Sequence, residues 1–192
     1  MTVNSVYVCY AFYFLFIMKL FFIFFLFFTM NTVLVFDFSK NSNISDWVIV
    51  DDVVMGGQSE GKFALDEEGN GVFSGAVSTA NYGGFSSVRF QFNKINTDSN
   101  SKIVVRFKGD GKAYQLRIKD KVSNYFSYIT TFQTNGEWQT LSINMKDMYP
   151  SFRGRDLDLP NYNSPAFEEL VFLIGNKKNE AFQLIIDKIE IQ

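Results

Sequence analysis

Histidine is absent from this chain, and cysteine occurs once, at Cys9. Without imidazole there is no Ser-His-Asp or Cys-His catalysis, no His-ligated metal and no histidine pH switch. A single thiol permits neither an intramolecular disulfide nor a cysteine-rich zinc site. Excess positive charge is missing as well. With 18 basic and 20 acidic residues the formal charge is −2, which provides no electrostatic footprint for nucleic acid. The length, 192 residues, suits one domain with a full core. These absences exclude most enzyme chemistries. They leave a non-catalytic structural or binding role as the expectation, with no cofactor and no metal.

Acidic residues are also lacking from positions 1–30, where Lys19 is the only charge. That segment holds nine of the 23 phenylalanines, from Phe12 to Phe28, together with Tyr7, Tyr10, Tyr13 and Cys9. It reads as a targeting or anchoring device, preceding a domain that runs from 31 to 192. Val6–Phe28 is long enough for a helix of about 23 residues to cross a bilayer. Lys19 would then cost roughly 2.5–3.5 kcal/mol, which the surrounding Phe, Leu and Ile offset. Two other readings stand beside the anchor. Met18-Lys19 starts a short secretory signal, although no small-x-small cleavage site follows, or Met30 is the true start of a cytoplasmic protein. With no arginine in the segment, a mitochondrial transit peptide is excluded.

Beyond Val33 the apolar period becomes two, the mark of half-buried strands. Val88, Phe90 and Phe92 alternate with Ser87, Arg89 and Gln91. Ile103, Val105 and Phe107 alternate with Val104, Arg106 and Lys108, and Tyr114, Leu116 and Ile118 with Gln115, Arg117 and Lys119. Phe126, Tyr128 and Thr130 continue the pattern, while Leu170–Ile174 and Phe182–Ile191 are more continuously apolar and read as buried strands. Asn70-Gly71, Asp110-Gly111 and Asn135-Gly136 tolerate the positive φ of a type I′ turn and are expected to close hairpins. About ten short strands at this spacing predict an all-β jelly-roll sandwich. The stretch from Asp147 to Pro165 holds all three prolines and reads as a long loop, a common seat of function.

Four features could carry chemistry. Asp51-Asp52-Val53-Val54-Met55-Gly56-Gly57-Gln58-Ser59 joins two strands through a glycine pair. It could bring backbone close to a ligand, with the carboxylates as acceptors, or it is a tight connection using glycine dihedrals. No Gly-Lys-Ser/Thr follows, so it is not a phosphate loop. Asp66-Glu67-Glu68-Gly69-Asn70-Gly71 copies the start of a calcium loop. However, Val77 stands where the bidentate glutamate belongs, so a solvated hairpin tip is expected. All five arginines, Arg89, Arg106, Arg117, Arg153 and Arg155, fall on polar strand faces or in the long loop. Arginine forks grip carboxylate or phosphate, so with Tyr82, Tyr125 or Tyr149 they could form a recognition surface; the plain alternative is a solvated, salt-bridged face. Trp47 and Trp138 could stack on sugars or fill the core. Glu168 and Glu169 adjoin an apolar run and face opposite ways if extended, which argues against paired acid–base work.

The ordered string Trp47-Val48-Ile49-Val50-Asp51-Asp52-Val53-Val54-Met55-Gly56-Gly57-Gln58-Ser59, Phe73-Ser74-Gly75, Gly83-Gly84-Phe85-Ser86-Ser87-Val88-Arg89, Gly109-Asp110-Gly111-Lys112-Ala113-Tyr114, Gly136-Glu137-Trp138 and Phe152-Arg153-Gly154-Arg155 resembles the complex I intermediate-associated protein 30 family. The resemblance covers about Val33 to Gln192, and the short chain without a transit peptide is as in bacterial-type members. It implies a galactose-binding-like jelly roll related in shape to carbohydrate-binding modules, and a chaperone-like assembly factor rather than an enzyme. The positions matching the family are Asp52, Gly56, Gly57, Gly84, Phe85, Ser87, Arg89, Gly109, Asp110, Gly111, Arg117, Arg153 and Gly154. The expected binding set is therefore Asp52, Arg89, Asp110, Arg117, Arg153 and Arg155, with Gly56, Gly57, Gly84 and Gly154 shaping loops. The expected partner is a protein, such as a respiratory-complex or other membrane assembly intermediate. Carbohydrate binding by an exported protein is the alternative.

Overall fold

The computed structural model describes residues 32–192, and Val33–Gln192 form one compact unit. The apolar helix expected within residues 1–30 lies outside the described residues. Among the described residues no helix is long and apolar enough to cross a membrane.

Thirteen strands follow one another. The first four are β1 (Val33–Asp37), β2 (Trp47–Asp51), β3 (Glu60–Leu65) and β4 (Gly71–Val77). Then come β5 (Ser86–Asn96), β6 (Lys102–Gly109), β7 (Ala113–Lys119), β8 (Ser127–Gln133) and β9 (Trp138–Asn144). The last are β10 (Tyr149–Phe152), β11 (Arg155–Asp156), β12 (Ala166–Ile174) and β13 (Glu180–Ile191). They make two antiparallel sheets, the sandwich that the period-two pattern predicts. One sheet has six strands in the order β3-β4-β13-β6-β9, with β1 also paired to β13. The other has seven, in the order β11-β10-β8-β7-β12-β5-β2.

The two late apolar strands are the spines of the two sheets. β12 pairs with β5 on one side and β7 on the other. β13 pairs with β6 along one edge and with β4 and then β1 along the other. Leu170, Phe172 and Ile174 of β12 and Leu184, Ile186 and Ile189 of β13 have no exposed surface. Aromatic rings close the space between the layers. Trp47 stacks on Phe90 of its own sheet (4.7 Å, 7° between planes) and on Phe63 of the facing one (5.0 Å, 25°). Phe107 and Phe132 meet edge-on across the layers at 5.0 Å. Trp47 is thus core, not an exposed sugar platform.

Two of the three expected hairpins are something else. Asp110-Gly111 links β6 to β7 and Asn135-Gly136 links β8 to β9, but in each case the two strands belong to opposite sheets. The positive φ is real, 83° at Gly111 and 88° at Gly136, and it serves a corner between layers. Local turn chemistry sets the backbone reversal, whereas pairing depends on distant strands. Only the Asp66–Gly71 stretch closes a true hairpin, between β3 and β4. There the left-handed residue is Gly69 (φ 97°), one place earlier than the Asn-Gly pair suggests. Asp66 Oδ1 accepts the amides of Glu68 (3.0 Å) and Asn70 (2.8 Å), which makes the calcium-loop lookalike a carboxylate-capped turn. Nor is 147–165 a plain loop, because it contains β10 and β11. Arg153 (φ 51°) and Gly154 (φ 74°) form a two-residue turn with both φ values positive between the partners Phe152 and Arg155.

Gly75 marks the closest backbone approach within the six-stranded sheet. A Cβ there would lie 2.0 Å from the carbonyl oxygen of Glu60 on β3. Gly75→Ala is expected to destabilise the domain by about 1–3 kcal/mol, since the obstacle is backbone and cannot rotate away. Urea denaturation of the variant measures this, and an unchanged midpoint would refute the packing argument.

Candidate functional site

Strand register brings the candidate residues to four places. Arg89 of β5 and Arg117 of β7 are both direct partners of Val171 on β12. Direct cross-strand partners share a face, so both guanidinium groups stand on the outer face of the seven-stranded sheet. The same row continues to Val48 on β2, Ile129 on β8 and Tyr149 on β10. Flanking this row, Gln91 is the partner of Glu169 and Gln115 the partner of Leu173. The floor is aliphatic: Val171 and Ile129 are each 3% exposed.

The polar groups on this face are unevenly satisfied. Arg117 donates from Nε to Gln115 Oε1 at 3.0 Å, and its Nη2 donates to the same oxygen. Gln91 Nε2 donates to Glu169 Oε2 at 2.8 Å. By contrast, Arg89 Nε and Glu169 Oε1 are buried with no hydrogen-bond partner. Among the described residues no carboxylate forms an ion pair with Arg89 or Arg117, although five other pairs exist. Burial, then the charge of Arg89, push the Arg117 guanidinium down to about 10, while Tyr149 opposes the shift. The Arg117 guanidinium remains cationic at neutral pH. Two like charges in one row, neither in ion-pair contact with a carboxylate, are an arrangement that an anion would relieve.

Arg153 and Arg155 belong to the β10–β11 hairpin, at the edge of the same sheet, and both are exposed. Arg153 lies over the Phe152 ring at 5.2 Å. Arg106, in contrast, stands on the other sheet. It pairs with Asp187 at 2.7 Å and covers Trp138 at 4.6 Å. The five arginines therefore do not form one surface, because β6 and β7 part company at the Asp110-Gly111 corner.

The two candidate aspartates are engaged within the chain. Asp52 is 1% exposed. It accepts from Ser59 N (3.0 Å) and Ser59 Oγ (2.6 Å), and from the amides of Gly84 and Phe85 (3.1 Å). Its carboxylate ties the 52–59 connection to the 83–85 loop. Cβ atoms at Gly57 and Gly83 would collide with it, at 2.2 and 2.5 Å. Gly56 (φ 89°) makes the left-handed turn beside it, in open space. Burial raises the Asp52 pKa, yet the hydrogen bonds from Ser59, Gly84 and Phe85 outweigh it and hold the group below the usual carboxylate range. Asp110 braces the β6–β7 corner, accepting from Lys112 Nζ (2.6 Å), Tyr114 Oη (2.9 Å) and Gln183 N (2.9 Å). Filled by the protein's own donors, these oxygens are structural rather than open to a ligand.

Gln115, Gln91 and Glu169 are legible in the sequence as polar-face or paired-carboxylate residues but not as members of the binding set. Their signal was their parity with Arg117, Arg89 and Val171, which becomes informative only once the strands are aligned. Glu168 and Glu169 do diverge, to Val122 N (3.1 Å) and Gln91 respectively. Elsewhere, Thr97, Lys146, Tyr162 and Pro165 help line a cavity of about 280 Å³, whose buried phenol is already bonded to Thr97 Oγ1 at 2.8 Å.

Residues 36–186 match the profile of complex I intermediate-associated protein 30. The chain belongs to that family. No curated protein matches it in sequence. In fold it is similar to a family 11 carbohydrate-binding module from Clostridium thermocellum solved with a β-1,3-1,4-mixed-linked tetrasaccharide. The TM-score is 0.60 at 14% identity, over 83% of this chain and 94% of that one. A second solved structure, the family 11 module of a cellulosomal cellulase of the same organism, gives 0.59 at 13% identity, over 84% and 94%. This member of the complex I intermediate-associated protein 30 family thus shares its β-sandwich fold with those two modules.

Two outcomes follow from this geometry. Asp52→Ala strands buried donors at 1–3 kcal/mol apiece, and a total loss of about 3 kcal/mol is expected. Because the folded pKa is depressed, the Asp52 contribution is complete above the unfolded aspartate value near 3.9 and fades as pH falls through the folded value. The stability gap between wild type and variant should therefore narrow below about pH 4; a gap constant from pH 6 to pH 3 would contradict it. Arg153→Asn should stabilise the domain by roughly 0.5–1 kcal/mol, since asparagine tolerates the left-handed region better than arginine. A lower melting temperature for that variant would count against the turn assignment.

Proposed function

We propose that this protein is a non-catalytic, assembly-factor-type binding module that docks a protein partner at or near a membrane. The docking surface is the outer face of the seven-stranded sheet, extended by the Arg153–Arg155 hairpin. The observation that carries this reading is the Arg89–Val171–Arg117 row, in which neither arginine has an ion-pair partner among the described residues. Family membership supports a protein partner, an assembly intermediate in the sense of the family's name. The apolar segment at residues 6–28 would hold the module at the membrane or direct its export.

Carbohydrate binding is the second reading, favoured by the likeness in fold to the two bacterial modules. Of the exposed aromatics, Tyr82 (99%) and Tyr125 (63%) lie between strands rather than on a sheet face, and Trp138 (36%) lies on the opposite sheet beneath Arg106. The protein-partner reading therefore has the better-supported face.

Tagged full-length protein recovered from its own membrane fraction should carry a reproducible partner. Arg89→Ala and Arg117→Ala should reduce that partner at least tenfold, with the thermal midpoint within a few degrees of wild type. Full recovery with both variants would place the interface elsewhere. Retention of the wild-type protein on a glycan panel, lost on the same substitutions, would favour the carbohydrate reading.

A further inference from the structure

We propose that the group recognised on this face is a carboxylate of an acidic peptide segment in the partner, seated between Arg89 and Arg117. The inference deepens the docking reading above and rests on it. The two arginines are in register with one residue, Val171, on the strand between them. Their Cα atoms are therefore separated by two strand spacings, roughly 9.5 Å, a gap that two long side chains can close over a shared anion.

The donors are unequally committed. Gln115 Oε1 takes Nε and Nη2 of Arg117, which fixes the guanidinium plane and leaves both N–H groups of Nη1 and one of Nη2 as free donors. Arg89 makes no side-chain hydrogen bond to the described residues; its Nε is buried, so the terminal Nη1 and Nη2 are the donors that a partner can reach. A carboxylate supplies strong, charge-assisted acceptors for those N–H groups. Glu169, on the same face, accepts from Gln91 with one oxygen, and its other oxygen bonds to neither arginine. Gln115 is thus a positioning residue, and Arg89 the principal contact.

A peptide carboxylate suits the face better than a uronic acid ring. The floor between the arginines is Val171, with Ile129 beyond Arg117 and Leu173 one pair further along β12, and Tyr149 is the row's one aromatic. Such a surface accepts aliphatic portions of a chain and offers little flat ring area for a sugar.

The test uses the full chain in mild detergent, titrated with a fluorescein-labelled hexaglutamate peptide. Hexaglutamine and an oligogalacturonate of equal charge run in parallel. The expected result is saturable hexaglutamate binding that weakens with salt, with hexaglutamine at least tenfold weaker. Arg89→Gln and Arg117→Gln should each weaken binding about tenfold or more, Arg89→Lys less, and Arg106→Gln on the other sheet not at all. The ¹⁵N resonance of Arg89 Nε should move on binding, a change that a purely structural arginine would not show. Equal binding of hexaglutamine, loss with Arg106→Gln, or binding of oligogalacturonate alone would overturn the proposal. Wild-type hexaglutamate affinity in both sheet variants would overturn it too, and so would failure of the labelled peptide to bind at all. If the arginine variants release the membrane partner while hexaglutamate fails, the docking face stands and only the carboxylate is wrong. If the partner is retained by both variants, the docking reading itself fails.

Discussion

The placement of β12 between β5 and β7 is the constraint on which the rest of the molecule depends. That strand is built from residues 166–174, late in the chain, yet it receives its neighbours from residues 86–96 and 113–119. One face of it, Leu170, Phe172 and Ile174, supplies the centre of the core. The other face holds Glu169, Val171 and Leu173 and sets which side chains of β5 and β7 become neighbours. Because side chains alternate with a period of two, a slip of one residue in either pairing would send an arginine into the core. The burial of Phe172 thus enforces the juxtaposition of Arg89 and Arg117. Packing energy and the recognition face are two consequences of one register.

Polar groups in this domain fall into two populations. Asp52, Asp66 and Asp110 each collect several donors and hold connections between strands: a strap, a hairpin tip and a corner between sheets. For all three, burial opposes ionisation and the hydrogen bonds prevail, so the carboxylates stay charged and braced. The second population, on the outer face of the seven-stranded sheet, is left incomplete. Arg89 Nε and Glu169 Oε1 are buried and unpaired, and Arg117 bears the repulsion of Arg89. Unpaired buried polar atoms also occur elsewhere, at Trp47 Nε1, Asp51 Oδ1, Ser86 Oγ and Glu180 Oε2, so what sets this face apart is that its two exceptions belong to side chains of opposite charge.

The glycine-rich strap between β2 and β3 shows how a motif can be legible and its role still hidden. Its sequence announces unusual backbone, and Gly56 does take φ 89°. Why Gly57 must also be small becomes plain only when Asp52 is seen lying where its Cβ would go. The loop is compact because a buried carboxylate gathers it inward, and the space a ligand would need is filled by Ser59 and the 83–85 amides.

Read alone, the sequence determined the class of the domain and most of its strands. Alternation is written into neighbouring residues, and half-buried strands have no other way to satisfy it. Arg89 and Arg117 were visible as polar-face residues for the same reason. Family membership, too, was carried by an ordered set of local motifs. Only the tertiary structure decided which strands pair. Asp110-Gly111 and Asn135-Gly136 look like hairpin turns, because turn chemistry is local, yet they carry the chain from one sheet to the other. That crossing separates Arg106 from Arg117, eleven residues later, and places Arg117 beside Arg89, twenty-eight residues earlier, through a strand that comes from near the chain's end. The choice is made by burial of β12 and β13 at the centres of their sheets, a property of the whole domain that no short stretch of sequence contains.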